Sequence, residues 1–238
     1  MRLPWQVSDL HPHALSLTQD ALDGGLFSRH LRIDLRDMSP PSIIHRYRIV
    51  AKAGQRTDTL AVNGFSATRL TRLYDLKFNV LNHPSLSDDL PPNISPHWFV
   101  GGERGPWQQW LDAHWKHYMA MHRSNPPRLP VKGARQVFLG EDLTEAFALR
   151  DGPQGRVKTF ASLRSDQEIG WIGGDADLLP HALAACLRRA MAIGWTHATL
   201  EVDDDDRALW ALVDGLGVEP DQEFVTWHRE RNPAKRPN

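Results

Sequence analysis

The sequence predicts a mixed α/β protein whose mostly antiparallel sheet contains a central βαβ crossover and carries flanking helices. Two strand-like segments, residues 145–150 and 156–163, are joined by Asp-Gly-Pro-Gln-Gly, a composition typical of a hairpin turn. Residues 168–173, 178–193 and 198–202 then have the order strand, helix, strand. This order predicts a crossover between two parallel strands of one sheet.

Apolar periodicity defines the elements that follow the hairpin. One face of the predicted helix 178–193 is apolar and consists of Leu179, Leu183, Cys186, Leu187 and Ala190. Gly194 is suited to end this helix, because glycine adopts the left-handed conformation of a helix C-terminus. A shorter helix is predicted at residues 206–215, and a last strand at residues 224–228.

Before the hairpin, helical spacing of apolar residues predicts a helix over residues 66–81, with Ser66 as its N-cap. Residues 83–106 are rich in Pro, Ser, Asp and Gly and predict a long loop. Residues 31–35 and 46–52 alternate in polarity like strands, and a weak helical pattern lies near residues 14–22.

An aromatic stripe predicts a further helix over residues 107–122, started by Pro106. The stripe consists of Trp107, Trp110, Leu111, His114, Trp115, Tyr118, Met119 and His122. Three tryptophans on one face favour packing in the core. In the alternative interpretation, His114, Tyr118 and His122 line a pocket for an acceptor substrate.

Composition and charge exclude several classes of protein. The chain is 41% hydrophobic and 24% charged, which indicates a globular protein rather than a disordered or collagen-like one. The 28 basic and 29 acidic residues create no overall positive field, so we expect no nucleic acid partner. We also expect no membrane association, because no apolar run reaches the length of a membrane span. Cys186 is the only cysteine, which excludes an intramolecular disulfide and favours a cytoplasmic location.

No metal site is predicted. The four aspartates at 203–206 could hold a hard cation, but capping of the following helix explains their positions without one. His114 and His117 lack a third ligand at a usable spacing, which argues against zinc. The sequence also lacks a phosphate-binding loop, a GxSxG elbow and a paired Cys and His nucleophile.

Short motifs in the C-terminal part occur in a recognisable order. Ala-Thr-Leu-Glu-Val at 198–202 is followed by Asp206, by Arg-Ala-Leu at 207–209 and by Leu-Gly-Val at 216–218. This order resembles the strand, asparagine, helix and Leu-Gly-Phe of the GNAT family of N-acetyltransferases. Phe-Ala-Ser-Leu at 160–163 is similar to the central hairpin strand of that family.

The resemblance covers residues 46–229, which we interpret as one GNAT-like acyltransferase domain. Residues 1–45 are interpreted as an N-terminal extension, similar to the remnant of a preceding GNAT-like half in tandem proteins, and residues 230–238 as a flexible tail. The resemblance implies transfer of an acetyl or other acyl group from acetyl-CoA or another acyl-CoA. The acceptor would be an amine on a small molecule or a peptide, and the protein could act as a homodimer.

The resemblance also implies a set of site residues. Backbone groups of Ile172 and Gly173 would pair with the pantetheine arm, and the loop containing Gly174 and Ala176 would approach the diphosphate. Asp206 stands at the family's asparagine position. A thioester held between the strands 168–173 and 198–202 would be attacked directly by the amine. Glu168 is predicted to accept the amine's proton, and its alternative role is that of a solvated strand residue.

Several residues depart from the family's pattern. Aligned back from Gly194, Asp177 and Leu179 occupy positions where the family has small residues that let backbone amides reach the diphosphate. Asp175 and Asp177 are expected to cap the following helix and to repel an anion there. Val213 replaces the family's frequent general-acid tyrosine. These departures support a second hypothesis, that of a noncatalytic GNAT-like ligand-binding or assembly module.

Overall fold

A computed structural model describes residues 3–7, 14–18, 24–37, 40, 44–87, 89–99, 104–122 and 143–231. The chain divides into two compact units. The first comprises Met1–Thr71, Ser124–Pro130 and Glu223–Asn238, and the second comprises Arg72–Arg123 and Val131–Gln222. The domain limits expected from the sequence, at residues 45 and 229, remain a prediction, and residues 232–238 of the expected tail lie outside the described residues.

The first unit is built on a sheet in the order β1-β2-β3-β10-β4. Its strands are β1 (Gln6–Val7), β2 (Ala14–Thr18), β3 (Arg46–Lys52), β4 (Ser66–Leu76) and β10 (Gln222–Glu230), except that residues 72–76 of β4 and Gln222 belong to the second unit, and its helices are α1 (Gly24–Asp37) and α2 (Thr57–Val62). Strands β2 and β3 are parallel and α1 lies between them in sequence, so this unit contains its own βαβ crossover. Strands β3 and β10 are antiparallel, and the strands predicted at 46–52 and 224–228 are confirmed.

Two predictions in this unit are wrong. Residues 31–35 belong to helix α1 rather than to a strand, and residues 14–18 of the expected weak helix form strand β2. The alternation at 31–35 misleads because one of its two polar members, Asp34, is buried. Its Oδ2 accepts hydrogen bonds from the Leu3 amide (2.9 Å) and the Trp5 indole (3.0 Å), which compensates for the burial of the carboxylate.

The helix predicted over residues 66–81 is also wrong, because residues 66–76 form strand β4 and Phe78–Asn82 form a short 3₁₀ helix. Leu70, Leu73 and Tyr74 have helical spacing, but the buried side chains are Tyr74 and Leu76, two residues apart. Pairing with other strands overrides the local pattern. At the start of the strand, the Thr68 hydroxyl donates a hydrogen bond to the Thr226 carbonyl (3.1 Å).

The second unit contains an antiparallel sheet in the order β5-β6-β7-β8. Its strands are β5 (Ile94–Phe99), β6 (Leu143–Asp151), β7 (Val157–Arg164) and β8 (Ile169–Gly174), while β9 (Ala198–Asp203) pairs with β4. Its helices are α3 (Arg104–Met121), α4 (Leu179–Ala192) and α5 (Arg207–Gly215). The predicted hairpin, crossover elements and fold class are confirmed. The loop predicted at 83–106 is wrong in part, because β5 lies within it and pairs with β6.

Helices cover the antiparallel sheet and bury the core of the second unit. The predicted apolar face of α4 is buried as expected. On α3, Trp110 is fully buried, and its indole N–H lies 3.2 Å from the carbonyl oxygens of Phe147 and Ala161 on the two hairpin strands. The core interpretation of the aromatic stripe is therefore correct for Trp110. Among the helices that the structure describes, none is long and apolar enough to cross a membrane.

Candidate active site

Strands β8 and β9 meet at a single point and define the candidate site. One parallel bridge links Glu168 to Thr199, and the Thr199 amide donates a hydrogen bond to the Gln167 carbonyl (2.9 Å). Beyond that bridge the two strands belong to different ladders, since β8 continues with β7 and β9 with β4. Throughout residues 143–231, all of which are described, no further bridge joins β8 to β9. The two strands therefore diverge beyond Glu168 and Thr199.

A bulge in β8 lies beside this opening. Ser162 pairs with Gly170 and Phe160 pairs with Gly173, so Trp171 and Ile172 together stand opposite one residue of β7. Trp171 has a positive φ of 53°, an uncommon and strained value for a bulky side chain. Strained backbone of this kind persists only where the surrounding packing holds it, and it is concentrated at binding and catalytic sites.

A cavity of about 280 Å³, called the acidic cavity below, opens next to the bulge. Four of its lining side chains are carboxylates, and the others are aromatic, apolar or basic. The lining consists of Glu168, Glu201, Asp203, Asp206, His117, Tyr118, His122, Trp171, Met121, Ile172, Leu209 and Arg164. The predicted site residues Glu168, Ile172 and Asp206 are therefore brought together in one cavity.

Glu168 has the electrostatics of a proton acceptor. The pKa of its carboxyl is raised from 4.5 to about 7, chiefly by burial and also by the nearby carboxylates of Glu201 and Asp166. Arg164 has the opposite influence, with its Nε 3.7 Å from a carboxylate oxygen of Glu168. Near neutral pH, this group can both accept and release a proton.

Asp206 performs two structural tasks. Its Oδ1 accepts a hydrogen bond from the Leu209 amide (3.1 Å), so it caps helix α5 as predicted. Its Oδ2 lies 3.0 Å from Nε2 of His117, which extends from helix α3. The hydrogen bond between His117 and Asp206 crosses the place where β8 and β9 diverge.

His117 also lies directly over Gly173. A methyl group added at Gly173 would come within 2.6 Å of the His117 ring, so the imidazole occupies the space in front of this backbone. From the sequence, His117 is expected only as a zinc ligand without enough partners, and its position over Gly173 is not predicted. The only sequence signal for its position is its spacing from Trp110 and His114, which puts the three side chains on one face of the helix. Nothing in the sequence placed that face against the end of β8.

The other aromatic-helix residues have separate roles. His114 is completely buried among Trp110, Phe160 and Trp171, and burial holds its pKa well below 6.5. It is therefore a neutral core residue at physiological pH. Tyr118 and His122 stack on each other with ring centres 3.8 Å apart and line the acidic cavity, in agreement with the pocket interpretation for these two.

The loop expected near the diphosphate has a different structure from the one predicted. Residues 174–177 are exposed, and Ala176–Leu178 form a 3₁₀ turn before α4. No side chain caps either helical segment, so the expected capping by Asp175 and Asp177 is wrong. Asp175 instead pairs with Lys158 (3.3 Å).

Gly174 has a φ of 122°, and a side chain there would collide with the backbone of Lys158, so only glycine fits. It lines a second, larger cavity, while Ala176 lies exposed in the 3₁₀ turn. Of the six predicted site residues, three therefore line the acidic cavity, and Gly173 lies beneath His117. Among the described residues, no group of three or more His, Cys, Asp or Glu side chains is arranged to hold a metal ion.

Solved structures with a similar arrangement include GCN5-related N-acetyltransferases, abbreviated GNAT. One from Sphaerobacter thermophilus is 14% identical, with a TM-score of 0.64 over 96% of this chain and 76% of its own. A tandem GNAT protein from the clavulanic acid biosynthesis pathway is 12% identical, with a TM-score of 0.60 over 94% and 77%. This chain has the GNAT fold. A third similar structure, a GNAT protein from Kribbella flavida, is 17% identical, with a TM-score of 0.54 over 93% and 81%. No protein-family model and no curated protein matches the sequence.

Proposed function

We propose that this protein is an N-acyltransferase that moves an acetyl or other acyl group from acyl-CoA to an amine acceptor. The observation that carries the proposal is the position of Glu168. It lies at the bridge from which β8 and β9 diverge, it lines the acidic cavity, and its pKa of about 7 suits a general base. The GNAT fold supports the same chemistry.

The proposed reaction requires one proton acceptor and one leaving group. The amine nitrogen attacks the thioester carbonyl carbon, a C–N bond forms, and Glu168 accepts the proton that the nitrogen loses. The C–S bond then breaks with its electron pair on the sulfur, and the thiolate takes up the proton held by Glu168, which regenerates the base. The carboxylates of the acidic cavity attract a protonated amine from solution, and this amine loses its first proton to water before it attacks.

Ile172, Gly173 and Asp206 would hold the thioester arm, but the His117 ring covers Gly173. The strand end at Ile172 and Gly173 adjoins the bulge, where extended backbone can pair with an amide-containing arm. Asp206 lies across the opening. The ring of His117 stands over Gly173, so the arm can reach this backbone only after His117 moves.

The same observation favours a second candidate function. If His117 remains in place, Gly173 and Asp206 stay inaccessible to the arm, and the protein would act as a noncatalytic ligand-binding or assembly module with the GNAT fold. Val213 is consistent with this candidate, because it is completely buried and provides no proton donor on α5.

Release of the free thiol tests the two candidates. The purified protein is mixed with acetyl-CoA and a panel of small and peptide amines, and the thiol is measured with a chromogenic disulfide. We expect amine-dependent release, and a loss of about 100-fold to 10,000-fold in Glu168→Gln. Glu219→Gln is the matched control, because Glu219 is exposed and lines neither cavity. Full turnover in Glu168→Gln would reject the assignment of the base, and absence of release with every amine would favour the noncatalytic candidate.

The remaining parts of the proposal concern the setting of the reaction. The acceptor is an amine on a small molecule or a peptide, and the protein acts in the cytoplasm without nucleic acid or membrane, as a homodimer. Burial raises the pKa of the Cys186 thiol and shields it from disulfide exchange. Size-exclusion chromatography with light scattering checks the dimer.

A further inference from the structure

A second cavity adjoins the first on the other side of His117. It has a volume of about 690 Å³ and lies among helix α3, the turn between β6 and β7, and the end of β8 at Gly174. Three basic side chains line it, Lys116, Arg156 and Lys158, and we call it the basic cavity. Two carboxylates, Asp112 and Asp175, also line it. Asp112 accepts a hydrogen bond from the Gln108 side chain, and Asp175 pairs with Lys158.

The two cavities have opposite chemistry. The acidic cavity contains four carboxylates and the proposed base, so it suits an amine and repels phosphate. Phosphate oxygens instead favour the basic cavity, where Lys116 and Lys158 face it from α3 and β7. One helix residue, His117, lines both cavities and separates them.

The helix N-terminus beside the basic cavity is poorly suited to hold phosphate. Pro180 occupies the first turn of α4 and removes one backbone N–H. Asp177 is exposed in the preceding loop and opposes a second negative charge. The lysines of the basic cavity are therefore the more favourable partners for a phosphate-bearing ligand.

We propose that the two cavities are the two ends of one binding site for a long thioester. The phosphate-bearing end lies among Lys116, Arg156 and Lys158, the acyl end lies in the acidic cavity, and His117 swings away from Gly173 and Asp206 to let the arm pass. This inference rests on the proposed acyl-CoA-dependent function. It adds where the phosphates bind and which side chain must move.

Two ligands distinguish binding at the phosphate end of this site from binding at the acyl end. Acetyl-CoA has the arm, the thioester and the phosphates, whereas S-acetyl-pantetheine has the arm and the thioester without any phosphate. Binding of both to the full chain is measured by calorimetry. In the double variant Lys116→Gln and Lys158→Gln, we expect about ten-fold or greater weakening for acetyl-CoA and no change for S-acetyl-pantetheine. Lys77→Gln is the control, because Lys77 is an exposed lysine that pairs with Asp75 and lines neither cavity.

The His117→Ala variant tests the moving side chain. Opening breaks one hydrogen bond in the unmodified protein but none in the variant, so we expect about two-fold to ten-fold tighter binding of both thioesters. Unchanged or weaker binding of both would contradict the movement of His117. Equal weakening of both thioesters in the lysine double variant would overturn the placement of the phosphates, as would unchanged acetyl-CoA affinity.

The failure of this inference can be distinguished from the failure of the proposed function. If the unmodified protein and His117→Ala both bind neither thioester, the acyl-CoA-dependent function is wrong and the two-ended site fails with it. If the unmodified protein binds both thioesters while the lysine double variant matches Lys77→Gln, only the two-ended site is wrong.

Discussion

The raised pKa of Glu168 predicts a measurable effect on stability. In the unfolded chain this carboxyl has its usual pKa of 4.5, and in the folded protein its pKa is about 7. Between these values the folded protein holds a proton that the unfolded chain releases, so the stability contribution is present below pH 4.5 and is lost as pH rises through 7. At about 1.4 kcal/mol per pH unit, the full effect would be about 3 kcal/mol. The Glu168 side chain is 26% exposed, and screening by solvent reduces this to about 1–2 kcal/mol.

The assay compares Glu168→Gln with the unmodified protein in urea unfolding followed by tryptophan fluorescence. Glutamine does not titrate, so we expect the variant to gain about 1–2 kcal/mol relative to the unmodified protein between pH 5 and pH 8.5. The exposed Glu219 provides the control, and Glu219→Gln should show a difference that does not change with pH. A constant difference for Glu168→Gln over the same range would refute the burial of a titrating carboxyl at this position.

Three further substitutions test the structure around the site. Asp206→Ala should cost about 0.5–2 kcal/mol in urea unfolding, because the Leu209 amide loses its cap, and Asp206→Asn should retain most of that stability. Trp110→Phe should cost about 1–3 kcal/mol, since two buried carbonyls lose their shared indole donor, and an unchanged unfolding midpoint would contradict that hydrogen bond. Gly173→Ala should displace the His117 ring and shift its imidazole NMR signals, whereas signals identical to those of the unmodified protein would show that the ring does not lie over Gly173.

The second half of the fold could be predicted because its signals are local. The turn at residues 151–155, the apolar face of α4 and the cap at Asp206 each fix an element without reference to distant residues. Strand β4 could not be predicted in this way. Its leucines fit a helix, and only pairing with other strands makes the extended conformation favourable. The strand predicted at residues 31–35 is wrong for a related reason. The burial of Asp34 depends on hydrogen-bond donors 29 and 31 residues away in sequence.

The candidate site also combines features that the sequence predicts with features that depend on distant residues. Glu168 could be proposed from sequence because the resemblance to the GNAT family implies an acyl-transfer site between the strands 168–173 and 198–202. The raised pKa of Glu168 could not be predicted, because it depends on burial and on Glu201 of the neighbouring strand. The contact of His117 with Gly173 and Asp206 joins three separate elements, and no spacing within one element indicates it.

The central claim is acyl transfer with Glu168 as the base, and the pH dependence of kcat/KM tests it most directly. With acetyl-CoA and an accepted amine, we expect kcat/KM to rise with pH and to reach half its plateau near pH 7, where Glu168 loses its proton. In Glu168→Gln, this inflection should disappear and the plateau should fall by about 100-fold to 10,000-fold. An unchanged profile with full activity in Glu168→Gln would contradict the account.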